Sequence, residues 1–159
     1  MNGWHACLWK YSENKQQIHK VNNMYKCKHF IIEELVSPQA FKDRGQKAWQ
    51  LLDDRMLMTL DLLREKYGSM TVNNWKWGGE REWSGLRTAD SPYFSKYSQH
   101  SFGRAADVIF KNITAEEVRQ DILANPDDET FKLINSFEEG VSWLHFDVRN
   151  CDRVLTYPV

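Results

Sequence analysis

The stretch SQHSFGRAADVIF, residues 98–110, decides the fold of this chain. A polar segment passes through Gly103 into the apolar run AADVIF, which predicts a loop that turns into a β-strand. Because side chains alternate between the faces of a strand, Asp107 is expected on the face opposite to its apolar neighbours. A turn at Gly103 would fold His100 back over the start of that strand. The stretch therefore predicts a histidine and a carboxylate close together.

The composition is typical of one globular domain. The chain has 159 residues, of which 42% are hydrophobic and 27% are charged, and its net charge is -1. This near-neutral balance gives no sign of a nucleic-acid or membrane partner, and we expect a monomer. The chain has seven Trp and six Tyr. A well-packed core is the preferred explanation for them, and a binding groove is the alternative.

The cysteines and the N-terminal segment indicate where the protein is made. Cys7, Cys27 and Cys151 are widely spaced and lack a CxxC pair, so thiols in a reducing compartment are expected rather than disulfides or a zinc knuckle. No apolar run approaches the ~18 residues that span a membrane. Residues 1–23 resemble neither a secretory signal nor a folded element, and we expect a weakly patterned leader before a domain over 24–159.

Helical signals dominate the first half of the domain. Ser37 before Pro38 predicts the start of a short helix, and the segment KAWQLL continues in a helical pattern. Asp53 or Asp54 is the expected N-cap of a longer helix that ends at Gly68. Its apolar side chains recur at the spacing of a helix packed on a core: Met56, Leu60, Leu63 and Tyr67.

Strand signals dominate the second half. MTVNNW (70–75) and AADVIF predict strands on either side of a long irregular loop over 78–98. Thr114 and Glu117 form a capping box for a helix. FKLINSF and GVSWLHFDVR then predict a β-hairpin joined by a tight Glu-Glu-Gly turn. The expected fold is a single α+β domain in which N-terminal helices pack on an antiparallel sheet.

A second histidine completes a possible metal site. His145 lies in WLHFDV of the last predicted strand, and with His100 and Asp107 it supplies two imidazoles and a carboxylate. Three such ligands leave one position open for water, which is the pattern of a catalytic zinc ion. The remaining histidines are expected to be solvated or packed side chains: His5, His19 and His29. The alternative for the pair His100 and Asp107 is a strand-edge histidine beside a surface aspartate.

Three motifs, in order along the chain, resemble one family of zinc enzymes. Ser98 to Asp107 matches S-x-H-x-x-G-x-A-x-D, which is similar to the signature of the D-alanyl-D-alanine carboxypeptidase clan, the M15-type peptidases. That clan includes phage endolysins that cut L-alanyl-D-glutamate bonds, and the hedgehog signalling domain shares the motif. Ser84-Gly85-Leu86-Arg87-Thr88 is similar to the family's S-G-[YF]-R-[ST] segment, and Trp143-Leu144-His145 to its last ligand. The resemblance spans about residues 30 to 150.

The resemblance implies a hedgehog/DD-peptidase-like fold and a zinc-dependent peptidase of bacterial cell-wall peptides. One zinc ion would be bound by His100, Asp107 and His145. Arg87 would stabilise the developing oxyanion or hold a substrate carboxylate. Ser98 and Gln99 would form hydrogen bonds across the site. Since no export signal is evident, a phage or prophage lysin that reaches the wall after release is expected. The cleaved bond, and hence carboxypeptidase or endopeptidase action, stays open.

The general base is where this chain departs from the family. Many members place Asp or Glu three residues before the last histidine, but Ser142 stands there, and its hydroxyl cannot accept a proton at neutral pH. The nearest carboxylates are Glu138 and Glu139 in the predicted turn, and Glu138 is narrowly preferred. If neither reached the site, the chain would be a non-catalytic zinc-binding domain of a wall-binding or phage structural protein, or a signalling-type module.

Asp147 follows His145 on the same predicted strand. Residues two apart share a face of a strand, so Asp147 is expected beside His145. It would orient the imidazole through its second nitrogen, or pair with Arg149 or Arg104.

Overall fold

Local capping sets where the helices begin in the computed structural model, which describes residues 24–151 and 154–158. The predicted leader, with His5, His19 and Cys7, lies outside the described residues. Helix α1 (Pro38–Arg44) starts after Ser37, whose side chain accepts a hydrogen bond from the Ala40 N–H. The segment KAWQLL is helical as expected except for its last residue, since a 3₁₀ helix runs over Gly45–Leu51.

The two longer helices follow the sequence signals closely. Helix α2 (Asp54–Tyr67) begins after Asp53, whose carboxylate accepts from the Arg55 N–H, and ends at Gly68. Helix α3 (Ala115–Ala124) has the expected capping box, since Thr114 and Glu117 bond to each other's backbone N–H groups. The predicted apolar stripe of α2 faces the core, with three side chains fully buried and one partly: Met56, Leu60, Leu63 and Tyr67.

Five strands form one mixed sheet in the order β1-β2-β4-β3-β5. Their bounds are as follows: β1 Met70–Thr71, β2 Ala105–Phe110, β3 Ser136–Glu139, β4 Leu144–Asp147 and β5 Leu155–Pro158. The expected antiparallel arrangement holds for β1 to β4 but is wrong for β5, which runs parallel to β3. Both edges of β4 are already paired, so the chain leaving β4 joins the sheet at the outer edge of β3.

One face of this sheet is apolar and packs on the helices. The side chains on this face are buried in the main hydrophobic cluster: Ala106, Val108, Phe110, Phe137, Leu144 and Phe146. Helices α2 and α3 both contact β2, and α3 also contacts β4. The other face is free to carry polar side chains. No helix among the described residues has the length and apolarity needed to cross a bilayer.

The first predicted strand is shorter than expected. Only Met70 and Thr71 of MTVNNW pair with β2, because the Asn73 and Asn74 N–H groups donate to the loop carbonyls of Glu34 and Arg81 instead. A short 3₁₀ helix at Trp75–Trp77 follows. The expected loop over 78–98 contains no helix or strand.

The predicted hairpin forms, but its turn lies later than expected. Residues 131–135 of FKLINSF precede β3 and form turn hydrogen bonds, such as that from the Ile134 N–H to the Phe131 carbonyl. Glu138 and Glu139 are the last residues of β3 rather than part of the turn, which begins at Gly140 with φ 80°. This shift gives the two carboxylates the alternating directions of a strand.

Candidate metal centre

The polar face of the sheet places four functional side chains in one row. Asp107 on β2 is directly opposite His145 on β4, and Glu138 on β3 is opposite Tyr157 on β5. Because Phe137 pairs with Phe146, the next step of that register sets Glu138 beside His145. Strand alternation thus confirms the expectation that Asp107 points away from the apolar core.

His100 reaches the same face through the turn at Gly103. Gly103 has φ +67°, and its N–H donates to the His100 carbonyl at 3.1 Å. A Cβ on Gly103 would lie 2.0 Å from the backbone oxygen of Leu51, so only glycine fits this close approach. The Arg87 N–H also donates to the His100 carbonyl, at 3.2 Å. The loop is therefore fixed from two sides.

Three buried atoms converge at the end of this arrangement. His100 Nε2 lies 3.2 Å from His145 Nδ1 and 3.2 Å from Asp107 Oδ1, and the last two atoms are 2.7 Å apart. The three side chains can hold a metal ion. Ligand atoms around a tetrahedral zinc ion, with bonds of about 2.0–2.1 Å, lie about 3.3 Å apart. The observed triangle fits that spacing if its shortest side, between His145 Nδ1 and Asp107 Oδ1, lengthens slightly when the metal binds.

A hydrogen bond behind His100 and a carboxylate behind His145 orient the two rings. His100 Nδ1 lies 2.8 Å from the Gly85 carbonyl. Since a carbonyl only accepts, Nδ1 carries the proton and Nε2 keeps a lone pair for a metal. His145 Nε2 faces Asp147 Oδ2 at 3.7 Å, which leaves Nδ1 toward the site. Such partners behind the ligands are typical of zinc-binding histidines.

The charges of the cluster support each other. Burial alone would raise the pKa of Asp107, but its hydrogen bonds with His100 and His145 hold that pKa well below its usual value. Burial alone would lower the pKa of His145, but the carboxylates of Asp107, Asp147 and Glu138 raise it to about 9. Asp107 is therefore ionised, as a metal ligand must be.

Arg87 lies against the metal ligands. Its Nη2 donates to Asp107 Oδ2 at 2.6 Å, and its Nε donates to the Trp83 carbonyl at 2.8 Å. Asp107 thus divides its oxygens, with Oδ1 toward the histidines and Oδ2 toward Arg87. The remaining guanidinium N–H groups are directed donors beside the cluster.

The two candidate bases are placed very differently. Glu138 Oε1 lies 4.0 Å from His145 Nδ1. Glu139 is exposed and lines neither of the cavities that meet at the cluster. Ser142, at the family's usual base position, is also exposed and borders a separate cavity beside Ile109. Of these three residues, only Glu138 reaches the metal ligands.

The other predicted site residues have supporting positions. Ser98 Oγ accepts a hydrogen bond from the His100 backbone N–H at 3.3 Å. Gln99 lines the cavity beside the histidines, but its Oε1 is buried and has no hydrogen-bond partner in the described part of the chain. Asp147 is fully buried and pairs with Arg149 rather than Arg104.

Two further residues contact or support the site but belong to no recognisable motif. Tyr157 OH lies 3.4 Å from Glu138 Oε1, and its ring stands edge-on to His145 with centroids 6.1 Å apart. Arg119 is buried on α3 and donates to the carbonyls of Val141 and Trp143, which fixes the β3–β4 turn. The only sequence signal for Tyr157 is that it lies in the β-prone run VLTYPV. A single arginine in a helix, such as Arg119, gives no signal that could have been recognised.

Two cavities meet at the cluster. The larger, of about 630 Å³, is lined by Asp107 and by aromatic side chains that include Trp83, Tyr93 and Trp143. The smaller, of about 290 Å³, is lined by both histidines and by Tyr157. Aromatic side chains thus line a cavity, whereas others, such as Trp49, are buried in the core.

His29 is the one histidine among the described residues that lies outside the cluster. His29 is exposed beside Glu65, with 3.2 Å between Nε2 and the carboxylate, as expected for a solvated side chain.

Comparisons with protein-family models, with curated proteins and with solved structures found no match for this chain.

Proposed function

We propose that this protein is a zinc-dependent peptidase that hydrolyses peptide bonds in bacterial cell-wall peptides. The observation that carries the proposal is the buried triangle of His100 Nε2, Asp107 Oδ1 and His145 Nδ1, with Glu138 Oε1 only 4.0 Å from the last of these atoms. Structural zinc sites usually have four protein ligands, whereas catalytic sites have three and a nearby carboxylate. No fourth His, Cys, Asp or Glu joins the cluster among the described residues.

The chain supplies the groups that peptide hydrolysis needs. A bound zinc ion polarises a carbonyl group and lowers the pKa of water to about 7. Glu138 accepts the proton of the attacking water and passes it to the leaving nitrogen. The free N–H groups of Arg87 donate to the oxygen on which negative charge develops. Asp147 and the Gly85 carbonyl hold the two imidazoles so that His145 Nδ1 and His100 Nε2 point toward Asp107.

The substrate class rests on the resemblance of the three motifs to the M15-type peptidases. The larger cavity, with its aromatic lining, has the size of a site for part of a peptide. We propose a monomer that acts on the cell wall after release from the cell, as a phage or prophage lysin does.

The first test combines metal content with hydrolysis. The purified protein is expected to contain one zinc ion per chain by elemental analysis and to release new amine groups from muropeptides. His100→Ala removes the ligand that only the loop supplies, so both zinc and hydrolysis should be lost. His29→Ala, at an exposed histidine, is the matched control and should keep both.

The result also separates the two functions that the motifs permit. If the wild-type protein binds one zinc ion per chain but cuts no muropeptide, the peptidase proposal is wrong. The chain would then be a non-catalytic zinc-binding domain. Circular dichroism of His100→Ala must show a folded chain, so that loss of zinc reflects the missing imidazole.

A further inference from the structure

One hydrogen bond holds the carboxylate that is proposed as the base. Glu138 Oε1 lies 3.4 Å from the Tyr157 hydroxyl, and no other hydrogen bond reaches the Glu138 side chain within the described part of the chain. Burial and the charge of Glu138 raise the pKa of Tyr157, so the hydroxyl keeps its proton and is the donor. The second carboxylate oxygen of Glu138 is left for another partner.

The pairing of two strands brings Tyr157 to this place. Strand β5 runs parallel to β3, and the register sets Tyr157 directly opposite Glu138. Residues that are opposite each other in neighbouring strands present their side chains on the same face of the sheet. The contact is therefore set by the register of the sheet.

Two further contacts fix the ring of Tyr157. The ring stands edge-on to that of His145, with centroids 6.1 Å apart, and the guanidinium carbon of Arg149 lies 5.6 Å from its centroid. Arg149 is itself anchored, because its Nε donates to Asp147 Oδ1 at 2.8 Å. Tyr157 thus packs on a metal ligand and on the arginine bound behind that ligand, which keeps its hydroxyl beside Glu138.

The pair borders the space where a substrate would bind. Glu138 and Tyr157 both line the smaller cavity, together with His100 and His145. A general base works only while its oxygen stays within hydrogen-bond reach of the proton that it accepts. A glutamate side chain has several rotamers, so a donor that selects one of them keeps the base in place more of the time.

We infer that Tyr157 is a positioning residue of the proposed hydrolysis, because its hydroxyl holds the Glu138 carboxylate beside the metal ligands. The inference rests on the proposed function and adds to it a residue that belongs to none of the motifs. Tyr157 neither binds the metal nor transfers a proton in this scheme. Loss of its hydroxyl should therefore act on kcat through Glu138 and leave the zinc content unchanged.

The first test is Tyr157→Phe, which removes the hydroxyl and keeps the ring. With zinc-loaded protein and muropeptides, kcat should fall about 10-fold while KM and zinc content stay those of the wild type. Tyr25→Phe is the matched control, since its hydroxyl also donates to a carboxylate, that of Asp61 at 2.7 Å, but neither residue lines the two cavities. The control should keep the wild-type kcat. An unchanged kcat in Tyr157→Phe would overturn the inference.

A double-mutant cycle asks whether Tyr157 acts through Glu138. Tyr157→Phe is compared in the wild-type background and in Glu138→Gln. Once the base is removed there is nothing left to position, so the loss caused by Tyr157→Phe should disappear in the Glu138→Gln background. The same fold-loss in both backgrounds would show that the hydroxyl acts independently of Glu138, contrary to the inference.

A second cycle measures the contact without hydrolysis. Urea unfolding of the zinc-free protein is followed for Tyr157→Phe, Glu138→Ala and the double variant. If the hydroxyl and the carboxylate interact, the unfolding midpoint of the double variant should fall by less than the sum of the two single shifts. Strictly additive shifts would mean that the two groups do not interact, and the inference would be wrong.

Failure of the inference and failure of the proposed function give different results. Cleavage by the wild type with an unchanged kcat in Tyr157→Phe overturns the inference alone and leaves the peptidase intact. A zinc-loaded wild type that cuts no muropeptide overturns both.

Discussion

Glu138 and Glu139 are consecutive carboxylates that strand β3 sends in different directions. Glu138 lies in the row that contains His145 and Asp107, whereas Glu139 is exposed. Glu138→Gln is expected to keep zinc and to lower kcat by about 10²- to 10⁴-fold, because the amide cannot accept the proton. Glu139→Gln should behave as the wild type. Steady-state kinetics with zinc-loaded variants checks this pair, and equal activity of all three proteins would exclude Glu138 as the base.

Gly103 is the residue that brings the loop histidine to the strand. Gly103→Ala combines a positive φ with a Cβ only 2.0 Å from the Leu51 carbonyl oxygen. We expect it to lower the free energy of unfolding by about 3 kcal/mol or more. Gly140 has φ +80° but open space around its Cβ position, so Gly140→Ala should cost only about 1 kcal/mol.

Urea unfolding of both glycine variants measures the difference. The zinc content of Gly103→Ala should fall as well, since His100 is displaced with the turn. Equal stability of the two variants would show that the backbone around Leu51 yields without cost.

At the scale of elements, Asp53 shows how a helix cap couples stability to pH. Hydrogen bonds from the Arg55 side chain outweigh the effect of burial and lower the pKa of Asp53 below its usual value. A lowered pKa in the folded state stabilises the protein above the unfolded pKa of about 3.9. That contribution is lost as the pH falls through the folded pKa.

The prediction is tested with two substitutions of Asp53. Asp53→Ala is expected to lower the free energy of unfolding by about 1–2 kcal/mol at pH 7. Asp53→Asn keeps an oxygen for the Arg55 N–H but carries no charge, so its stability should fall less steeply than that of the wild type below pH 4. Urea unfolding as a function of pH measures both, with Asp127→Asn as a control at an exposed carboxylate. If the stability of Asp53→Asn fell below pH 4 as steeply as that of the wild type, the lowered pKa of Asp53 would not be the cause.

Element boundaries explain most of the differences from the sequence predictions. Ser37, Asp53, Gly68 and the Thr114 capping box act on their own backbone neighbours, so these helix ends were predicted correctly. The ends of strands β1 and β3 depend on partners distant in sequence. Asn73 leaves the sheet because the Glu34 carbonyl is within reach, which no local pattern shows.

At the scale of the whole molecule, the candidate metal site joins a loop to two strands of the sheet, β2 and β4. A ligand that binds only the folded state at 100 times its dissociation constant adds about 2.7 kcal/mol of stability. Removing zinc with a chelator should therefore lower the melting temperature by about 5–10 °C in a domain of this size.

His100→Ala is the control for this measurement. Its melting temperature should not respond to the chelator, because the site is already broken. If the chelator leaves the wild-type transition unchanged, the cluster does not bind metal in the folded protein.

The sequence by itself determined the helix ends, the alternation of strand β2 and the three side chains of the candidate metal site. Those features depend on neighbours along the chain or on a short motif. Only the tertiary structure decided which carboxylate accompanies the ligands, since Glu138 and Glu139 differ by the position of a turn that Arg119 fixes from a separate helix. It also decided that β5 runs parallel to β3 and brings Tyr157 to Glu138. Pairing between distant segments depends on which sheet edge remains free, and that is a property of the assembled sheet rather than of any one segment.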